Sequence, residues 1–249
     1  MDLQSSSQSE NINQSISNSN NYLISDKIRT RLLDQQISYF ANDNIADFIE
    51  EGELEMLEKE VSTKLKDLLR TLIIDVDNDH NTKETADRVA RMYINEVFKG
   101  RYHKQPKITS FPNVKQLDEI YTVGPITVRS ACSHHFVPIM GHCWIGIKPG
   151  SRVIGLSKFS RVADWVFSRP HIQEEAVMIL ADEIEKLCEP QGLGIIIKAD
   201  HYCMKLRGVK ESQCSMINSV VRGDFRHDSS LKQEFFELVR QQEPALAKG

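Results

Sequence analysis

The sequence predicts an α+β fold, in which a helical N-terminal region precedes an antiparallel sheet that packs with a pair of helices. Apolar side chains recur at helical spacing through much of residues 25–115, which indicates amphipathic helices. From Leu117 onward, short β-prone runs separated by glycine and proline predict strands. Because two later helices interrupt these strands as a block, the pattern favours α+β over an alternating α/β sheet.

Composition and charge narrow the class of protein. The 249 residues are 40% hydrophobic and 27% charged, which is ordinary for a soluble globular protein. The formal net charge of −4 argues against a general nucleic-acid binder. We find no apolar run long enough to span a membrane and no secretory signal pattern. The five cysteines, an odd number without a disulfide-like framework, fit a reducing cytosol, so we expect a cytoplasmic protein without a nucleic-acid or membrane partner.

The chain divides into three parts. Residues 1–24 are rich in Ser, Asn and Gln and hold too few apolar groups to offset the entropy of ordering, so we expect a disordered tail. The alternative is a regulatory or partner-binding arm. Residues 25–115 form the helical region, with helices expected over 26–42, 52–74 and 82–98, the last closed by Gly100. Residues 116–245 form the sheet-containing domain.

Within the sheet-containing domain, turn residues and N-cap preferences predict the order of elements. We expect a turn at Gly124-Pro125 and a hairpin over 137–147 that reverses around Met140-Gly141-His142. A helix capped by Ser157 should run through Phe167. The remaining elements are expected as a helix over 172–188, strands over 194–206 and 212–222, and a last helix over 231–239.

Two short stretches combine the side chains that zinc prefers. In Ala131-Cys132-Ser133-His134-His135-Phe136, a cysteine and a histidine lie three positions apart and can reach one ion if the chain curls. In the second stretch, 199–208, His201 and Cys203 should share one face of a strand.

Cys132, His135 and Cys203 would give three ligands and leave a fourth position open, as in catalytic zinc sites. His134 and His201 remain as acid–base groups beside the metal. The alternatives are that these residues pack as ordinary core, or that His201 is the third ligand and Cys203 a core residue.

Basic residues near a helix start suggest an anion site. Lys158 and Arg161 are three apart on the predicted helix, so they share a face, and helix N-termini favour anions. Ser157 can donate from the same turn. A solvated basic face is the alternative, particularly for Arg161.

These stretches, together with Gly155-Leu156-Ser157-Lys158 and Gln173-Glu174, closely resemble the GTP cyclohydrolase I family over roughly residues 50–240. The resemblance implies a zinc ion on Cys132, His135 and Cys203, with proton transfer by His134 and His201. It also implies that Gln173 and Glu174 recognise guanine, and that the triphosphate is held by Arg88, Ser157, Lys158, Arg161 and Arg207. For Arg88 the alternative is a surface arginine paired with a neighbouring acid, and for Glu174 a carboxylate that favours the helix dipole.

The function implied by the resemblance is hydrolysis of a cyclic amidine C–N bond in the guanine ring of GTP. Formate and 7,8-dihydroneopterin triphosphate would be the products, at the entry to folate and related pterin synthesis. The family's tunnelling fold closes sheets of several subunits into a barrel, so a ring-shaped homodecamer with sites at subunit boundaries is implied. Two alternatives stay open: a related enzyme of the same fold acting on another purine or pterin, and a non-catalytic pterin-binding paralogue.

The chain departs from the family pattern at several positions. Ser133 replaces the usual glutamate of the zinc motif, and Ala86-Asp87 replace Pro-His before Arg88. His171-Ile172 replace the family's Gln-Val before Gln173-Glu174, and Cys214-Ser215-Met216-Ile217-Asn218 replace a threonine-rich strand. No metal ligand or acid–base histidine is lost, but the rate and the substrate preference are put in doubt.

Overall fold

The computed structural model describes residues 23–242. Of the expected tail, residues 1–22 lie outside this range. Ile24 begins the first helix and is buried, one residue before the expected boundary at residue 25. Within the described range, no helix combines the length and the apolar character needed to cross a bilayer.

The N-terminal region is helical, as the sequence predicts. Helices α1 (Ile24–Asp34) and α2 (Glu53–Thr71) form a small core with Ile94, and a 3-10 turn (Ala46–Phe48) lies between them. The third expected helix is divided into α3 (Thr85–Met92), a π-helical turn (Tyr93–Val97) and α4 (Lys99–Tyr102).

The first helix is shorter than the expected span of 26–42. It ends at Asp34, where the chain turns. Gln36 has a positive φ of 55°, which is incompatible with a right-handed helix, so the helix cannot continue past this residue. The following segment is held instead by Arg101, whose guanidinium donates to the main-chain oxygens of Tyr39 at 3.1 Å and Asp43 at 3.0 Å.

Gly100 was expected to close the third helix, but it does not. It lies inside α4, and a Cβ placed there would come within 1.9 Å of the Trp165 main-chain oxygen. The glycine therefore permits close approach between two parts of the chain and is not a left-handed helix cap.

The sheet-containing region has two sheets. A small one pairs β1 (Ser110–Pro112) with β4 (Arg152–Ile154). The main sheet has the order β5-β2-β3-β6-β7, in which only the β2–β5 pair is parallel, so it is mixed and not purely antiparallel as expected. Its strands are β2 (Tyr121–Cys132), β3 (Pro138–Lys148), β5 (Pro170–His171), β6 (Gly192–His201) and β7 (Met216–Gly223).

Helices cover both faces of the main sheet. The larger core lies between one face and the pair α5 (Leu156–Phe167) and α6 (Gln173–Cys188), which confirms the α+β class. On the other face, Phe235 of α9 (Ser229–Gln242) packs over β3 and β6. Two single-turn helices, α7 (Tyr202–Lys205) and α8 (Asp224–His227), follow β6 and β7.

Two expected turns lie within strands. Strand β2 continues through Gly124-Pro125, a cis peptide, and its pairing with β3 shifts there; a Cβ on Gly124 would come within 2.4 Å of the Trp144 indole. The 140–142 segment is internal to β3, because Gly141 lets the strand lie directly against the β6 main chain. The hairpin reverses earlier, between β2 and β3.

Three further boundaries correct the sequence predictions. Helix α5 begins at Leu156 after Gly155, so Ser157 lies in its first turn and does not cap it. Strand β6 ends at His201, so Cys203 does not share a strand face with it and lies instead on α7. Strand β7 begins at Met216 and not at residue 212, and α9 is longer than its expected span of 231–239.

Candidate active site

The turn between β2 and β3 presents the first cysteine–histidine pair. The Phe136 amide donates to the Cys132 main-chain oxygen at 2.7 Å, and the Cys132 amide donates to the Val137 oxygen at 2.9 Å. Phe136 takes a positive φ of 53° to close this turn. The chain thus curls as the spacing of Cys132 and His135 requires for a shared ligand.

Helix α7 brings the third residue to the same place. Strand β6 pairs with β3 so that His201 lies opposite Ile139, and α7 follows directly. The ligand atoms of Cys132, His135 and Cys203, called here the trio, all lie within 4.8 Å of one another. Within residues 23–242, His201 is not part of this group, so the geometry favours Cys203 over His201 as the third ligand.

The trio suits zinc. Two thiols and an imidazole, without a carboxylate, form the soft N/S donor set that zinc binds. Tetrahedral zinc with bonds of about 2.0–2.3 Å places its ligand atoms roughly 3.5–4 Å apart, so only a small contraction is needed. Burial raises the pKa of the Cys203 thiol, and the adjacent Cys132 thiol raises it further, so a cation between the two sulfurs would favour their thiolate forms.

Arg207 contacts the trio directly. Its Nη1 donates to Nε2 of His135 at 2.6 Å, and a guanidinium can only donate. Nε2 of His135 can therefore bind a metal only after Arg207 withdraws. Both side chains are exposed, which leaves the long arginine side chain room to move.

The two histidines predicted as acid–base groups, His201 and His134, differ in their surroundings. His201 is half-buried, and its Nε2 lies 2.8 Å from Oε1 of Gln173. Burial lowers the pKa of His201, while the nearby carboxylates of Glu174 and Asp200 oppose that shift. His134 is exposed, and its ring lies perpendicular to that of His135 with 6.3 Å between centroids.

The start of α6 reaches this site through β5. Cys132 pairs with His171 in the parallel β2–β5 ladder, and α6 begins two residues later. Gln173 is buried, at 3% exposure, whereas Glu174 is exposed and close enough for its charge to act on His201. The two residues of the predicted Gln-Glu pair therefore face different surroundings.

The predicted phosphate-binding residues are less closely gathered. In the described part of the chain, no hydrogen bond or ion pair joins Arg88, Lys158 or Arg161 to the trio. Arg88 forms a surface ion pair with Glu84 at 2.7 Å. This is the alternative given for Arg88 from the sequence, a surface arginine paired with a neighbouring acid. Ser157 and Arg161 are exposed on α5, and Lys158 between them is half-buried.

Two polar residues beside the site are not among those predicted from the sequence. Asn218 of β7 accepts a hydrogen bond from the Gln173 side chain at 2.7 Å. His171 is buried, and its Nε2 donates to the Val166 oxygen at 2.7 Å; burial lowers the pKa of His171 to about 4. Sequence departures at 171 and 214–218 marked both segments, but only the strand pairing shows what these side chains contact.

Comparison with known proteins agrees with this geometry. Residues 61–240 match the family described as GTP cyclohydrolase I. A relative from Buchnera aphidicola subsp. Schizaphis graminum, named GTP cyclohydrolase 1, is 36% identical over 189 residues, covering 76% of this chain and 85% of that protein.

Two further relatives carry the same name. The protein from Erwinia tasmaniensis is 35% identical over 181 residues, covering 72% of this chain and 81% of the relative. The protein from Flavobacterium johnsoniae is 34% identical over 195 residues, covering 78% and 85%. Since the family match spans most of the chain and includes both cysteine–histidine stretches, the chain belongs to the GTP cyclohydrolase I family.

Proposed function

We propose that this protein is a zinc-dependent hydrolase that opens the guanine imidazole ring of GTP, releases formate and forms 7,8-dihydroneopterin triphosphate. The observation that carries the proposal is the convergence of Cys132, His135 and Cys203 within 4.8 Å, in a chain of the GTP cyclohydrolase I family. Near this group, the Glu174 carboxylate is close enough for its charge to act on His201. These two residues would supply the recognition and acid–base groups that the reaction needs.

Cys132, His135 and Cys203 would hold the zinc ion, with a fourth position left for water. When bound, zinc in such a site lowers the pKa of water toward neutrality and so activates it as a nucleophile. The neighbouring side chains then need to orient the purine so that C8 faces this position. Cys132 itself is buried, at 4% exposure.

Proton transfer falls to the two histidines. Attack of water on C8 requires a proton at a ring nitrogen of the purine, and histidine serves this purpose near neutral pH. His201 is held by Gln173, which fixes its ring next to the site, so we assign the main proton transfer to it. His134, exposed on the turn, is the second acid–base group.

Glu174 would recognise the guanine base. Its carboxylate is exposed near His201 and can accept hydrogen bonds from N1 and from the amino group of guanine. Because the Gln173 side chain is buried within the protein, we assign the contribution of Gln173 to guanine binding to its main chain.

The triphosphate would be held by Arg88, Ser157, Lys158, Arg161 and Arg207. Charge-assisted hydrogen bonds to phosphate are worth roughly 1.5–3 kcal/mol each. In an arginine–phosphate pair both partners are charged and the bonding can be bidentate, whereas the neutral His135 imidazole offers the guanidinium one uncharged acceptor. A bound triphosphate would therefore draw Arg207 away from His135 and leave that imidazole free for the metal.

The assembly completes the proposal. We propose a homo-oligomer, a decamer in size, in which the sheets close into the barrel of a tunnelling fold in the cytoplasm. Within one chain, the described contacts do not connect Arg88, Lys158 or Arg161 to the trio. This distribution suits a site that combines the trio of one subunit with phosphate contacts from a neighbour.

Product analysis tests this function. Zinc-loaded protein is incubated with GTP, and formate and fluorescent neopterin derivatives are quantified alongside a Cys132→Ala sample. The proposal expects equal amounts of formate and the pterin product from the unaltered chain, and neither from the variant. A different product, or GTP binding without turnover, would contradict it and favour an enzyme of another substrate or a binding paralogue.

A further inference from the structure

A chain of hydrogen bonds connects β7 to His201. Nε2 of Gln173 donates to Oδ1 of Asn218 at 2.7 Å, and Oε1 of the same amide lies 2.8 Å from Nε2 of His201. Gln173 is only 3% exposed, so water has little access to compete for these bonds. Among the described contacts, the hydrogen-bonded link from Asn218 to His201 runs through Gln173.

Asn218 and two main-chain oxygens together hold the Gln173 amide in one orientation. Its nitrogen lies 3.3 Å from both the Ile197 oxygen and the Met216 oxygen, in addition to Asn218. A main-chain carbonyl can only accept a hydrogen bond, so the NH₂ end of the amide faces this side. Both main-chain bonds are long, at 3.3 Å, and the bond to Asn218, at 2.7 Å, is the short one that holds the amide there. The amide oxygen is therefore the atom that faces His201.

The amide orientation in turn determines the tautomer of His201. Because the Gln173 oxygen accepts, Nε2 of His201 must carry a hydrogen and donate it. In the neutral ring, Nδ1 then holds the lone pair. Nδ1 is the only ring nitrogen left to exchange a proton with a substrate.

We propose that Asn218 is a positioning residue that keeps His201 in the Nε2–H tautomer by holding the Gln173 amide. This rests on the proposed function insofar as His201 transfers a proton to the substrate. Asn218 provides the shortest of the three bonds to the amide nitrogen and is the only side chain among these acceptors. Asn218 belongs to the segment that replaces the family's threonine-rich strand, so this hydrogen bond involves a residue at which the chain departs from the family pattern.

Matched substitutions separate the effect of the Gln173–Asn218 hydrogen bond from the effect of a change in packing on β7. Asn218→Leu removes the acceptor at similar size, and Asn218→Asp retains an oxygen that accepts from the amide. Ser219→Ala serves as a control, because successive strand residues face opposite sides of the sheet. Zinc content is measured on every sample.

The test is the tautomer of His201 in the full, zinc-loaded chain, read from ¹⁵N chemical shifts of histidine-labelled protein by solid-state NMR above pH 8. His201 signals are identified by their loss in His201→Asn. We expect the single Nε2–H form in the unaltered chain, in Asn218→Asp and in Ser219→Ala, and a mixture of both tautomers in Asn218→Leu. Single-turnover formate release should slow roughly 10- to 100-fold in Asn218→Leu at unchanged zinc content, and largely recover in Asn218→Asp.

An Nδ1–H tautomer in the unaltered chain would overturn the proposal, and so would an Asn218→Leu variant that matches the unaltered chain in tautomer and rate. The first outcome is read on the unaltered chain and does not depend on the folding of any Asn218 variant; only His201→Asn is needed, to assign the signals. If the unaltered chain releases no formate from GTP, the proposed function fails, while the tautomer still decides whether Asn218 holds His201 through Gln173.

Discussion

Cys132 and Cys203 differ from the other three cysteines in what surrounds them. Cys143 and Cys188 are buried in the apolar core, where burial raises the pKa of the Cys188 thiol to about 12 and that of Cys143 still further. Cys214 is exposed and lies outside the trio. Only Cys132 and Cys203 face each other and an imidazole.

We therefore predict that Cys132→Ala and Cys203→Ala each lose both bound zinc and turnover, because two remaining ligands cannot hold the ion tightly. Cys214→Ala is the matched control and should keep both. Metal analysis of purified protein beside formate release measures this. A Cys203→Ala variant that retained one zinc per subunit would remove Cys203 from the ligand set.

His201 should separate metal binding from proton transfer. We predict that His201→Ala keeps zinc and GTP binding, while single-turnover formate release slows by ~10²–10⁴-fold, the usual contribution of a positioned acid or base. Zinc content, GTP affinity and rate are measured on the same preparation. If zinc is lost together with activity, His201 is a metal ligand, and the assignment of the ion to Cys132, His135 and Cys203 alone is wrong.

His171 should make stability depend on pH. Its Nε2 donates to the Val166 oxygen, and within residues 23–242 its buried Nδ1 has no hydrogen-bond partner. A second proton on the ring would therefore be buried without an acceptor. The pKa is about 4 in the folded chain against 6.5 normally, so the folded state binds fewer protons and its stability falls as pH drops from 6.5 toward 4. The full loss is about 3 kcal/mol.

This prediction is tested with His171→Gln, which can keep a donor toward Val166 and does not titrate. Urea unfolding followed by tryptophan fluorescence, at fixed subunit concentration, gives the stability of both proteins between pH 7.5 and 4. The difference in free energy of unfolding between the unaltered chain and the variant should shift against the unaltered chain as the pH falls from 6.5 toward 4. A difference that stays constant with pH would show that His171 is not the responsible group.

At the residue scale, the sequence predicted the trio but for a partly wrong reason. The Cys132–His135 spacing is local, so the curl of one turn was enough to predict their approach. Cys203 was expected to follow His201 along one strand face, whereas β6 ends at His201 and a helical turn carries Cys203. The contact between Gln173 and Asn218 depends on how α6 packs on β6 and β7, which a single sequence does not reveal.

At the element scale, glycines make room for neighbouring elements more often than they form turns. Gly124, Gly141 and Gly100 were all expected to mark turns or helix ends, because glycine and proline often occur where helices and strands end. Each instead lies inside an element where a Cβ would strike an indole ring or a main chain. Local composition cannot separate these two uses, since the second depends on a distant part of the chain.

Gly146 and Gly194 give this idea a test. Both lie under the Phe235 ring, and a Cβ on Gly146 would come within 2.3 Å of it, so Gly146→Ala should push α9 off the sheet. We predict a loss of about 1–3 kcal/mol in the free energy of unfolding, typical of overpacking. Gly155→Ala, whose Cβ would meet nothing within 4 Å, is the control for denaturant unfolding. Equal stability of the two variants would contradict this packing.

At the scale of the whole molecule, the strand order explains why the site exists where it does. The order β5-β2-β3-β6-β7 places the β2–β3 turn, the end of β6 and the β5–α6 link at one end of the sheet. Segments far apart in sequence thereby supply the trio, His201 and Glu174. The sequence predicted the class of fold because periodicity is local, but not the parallel β5 or the strand pairing, which are long-range.

The most direct test of the account is to follow turnover as zinc is returned to chelated protein. Formate release from GTP should rise in proportion to bound zinc and reach its plateau at one ion per subunit, because each trio holds one ion. Cys132→Ala, treated in parallel, should bind no zinc at this site and release no formate. Formate release by the metal-free chain, or a fully loaded chain that releases none, would contradict the account.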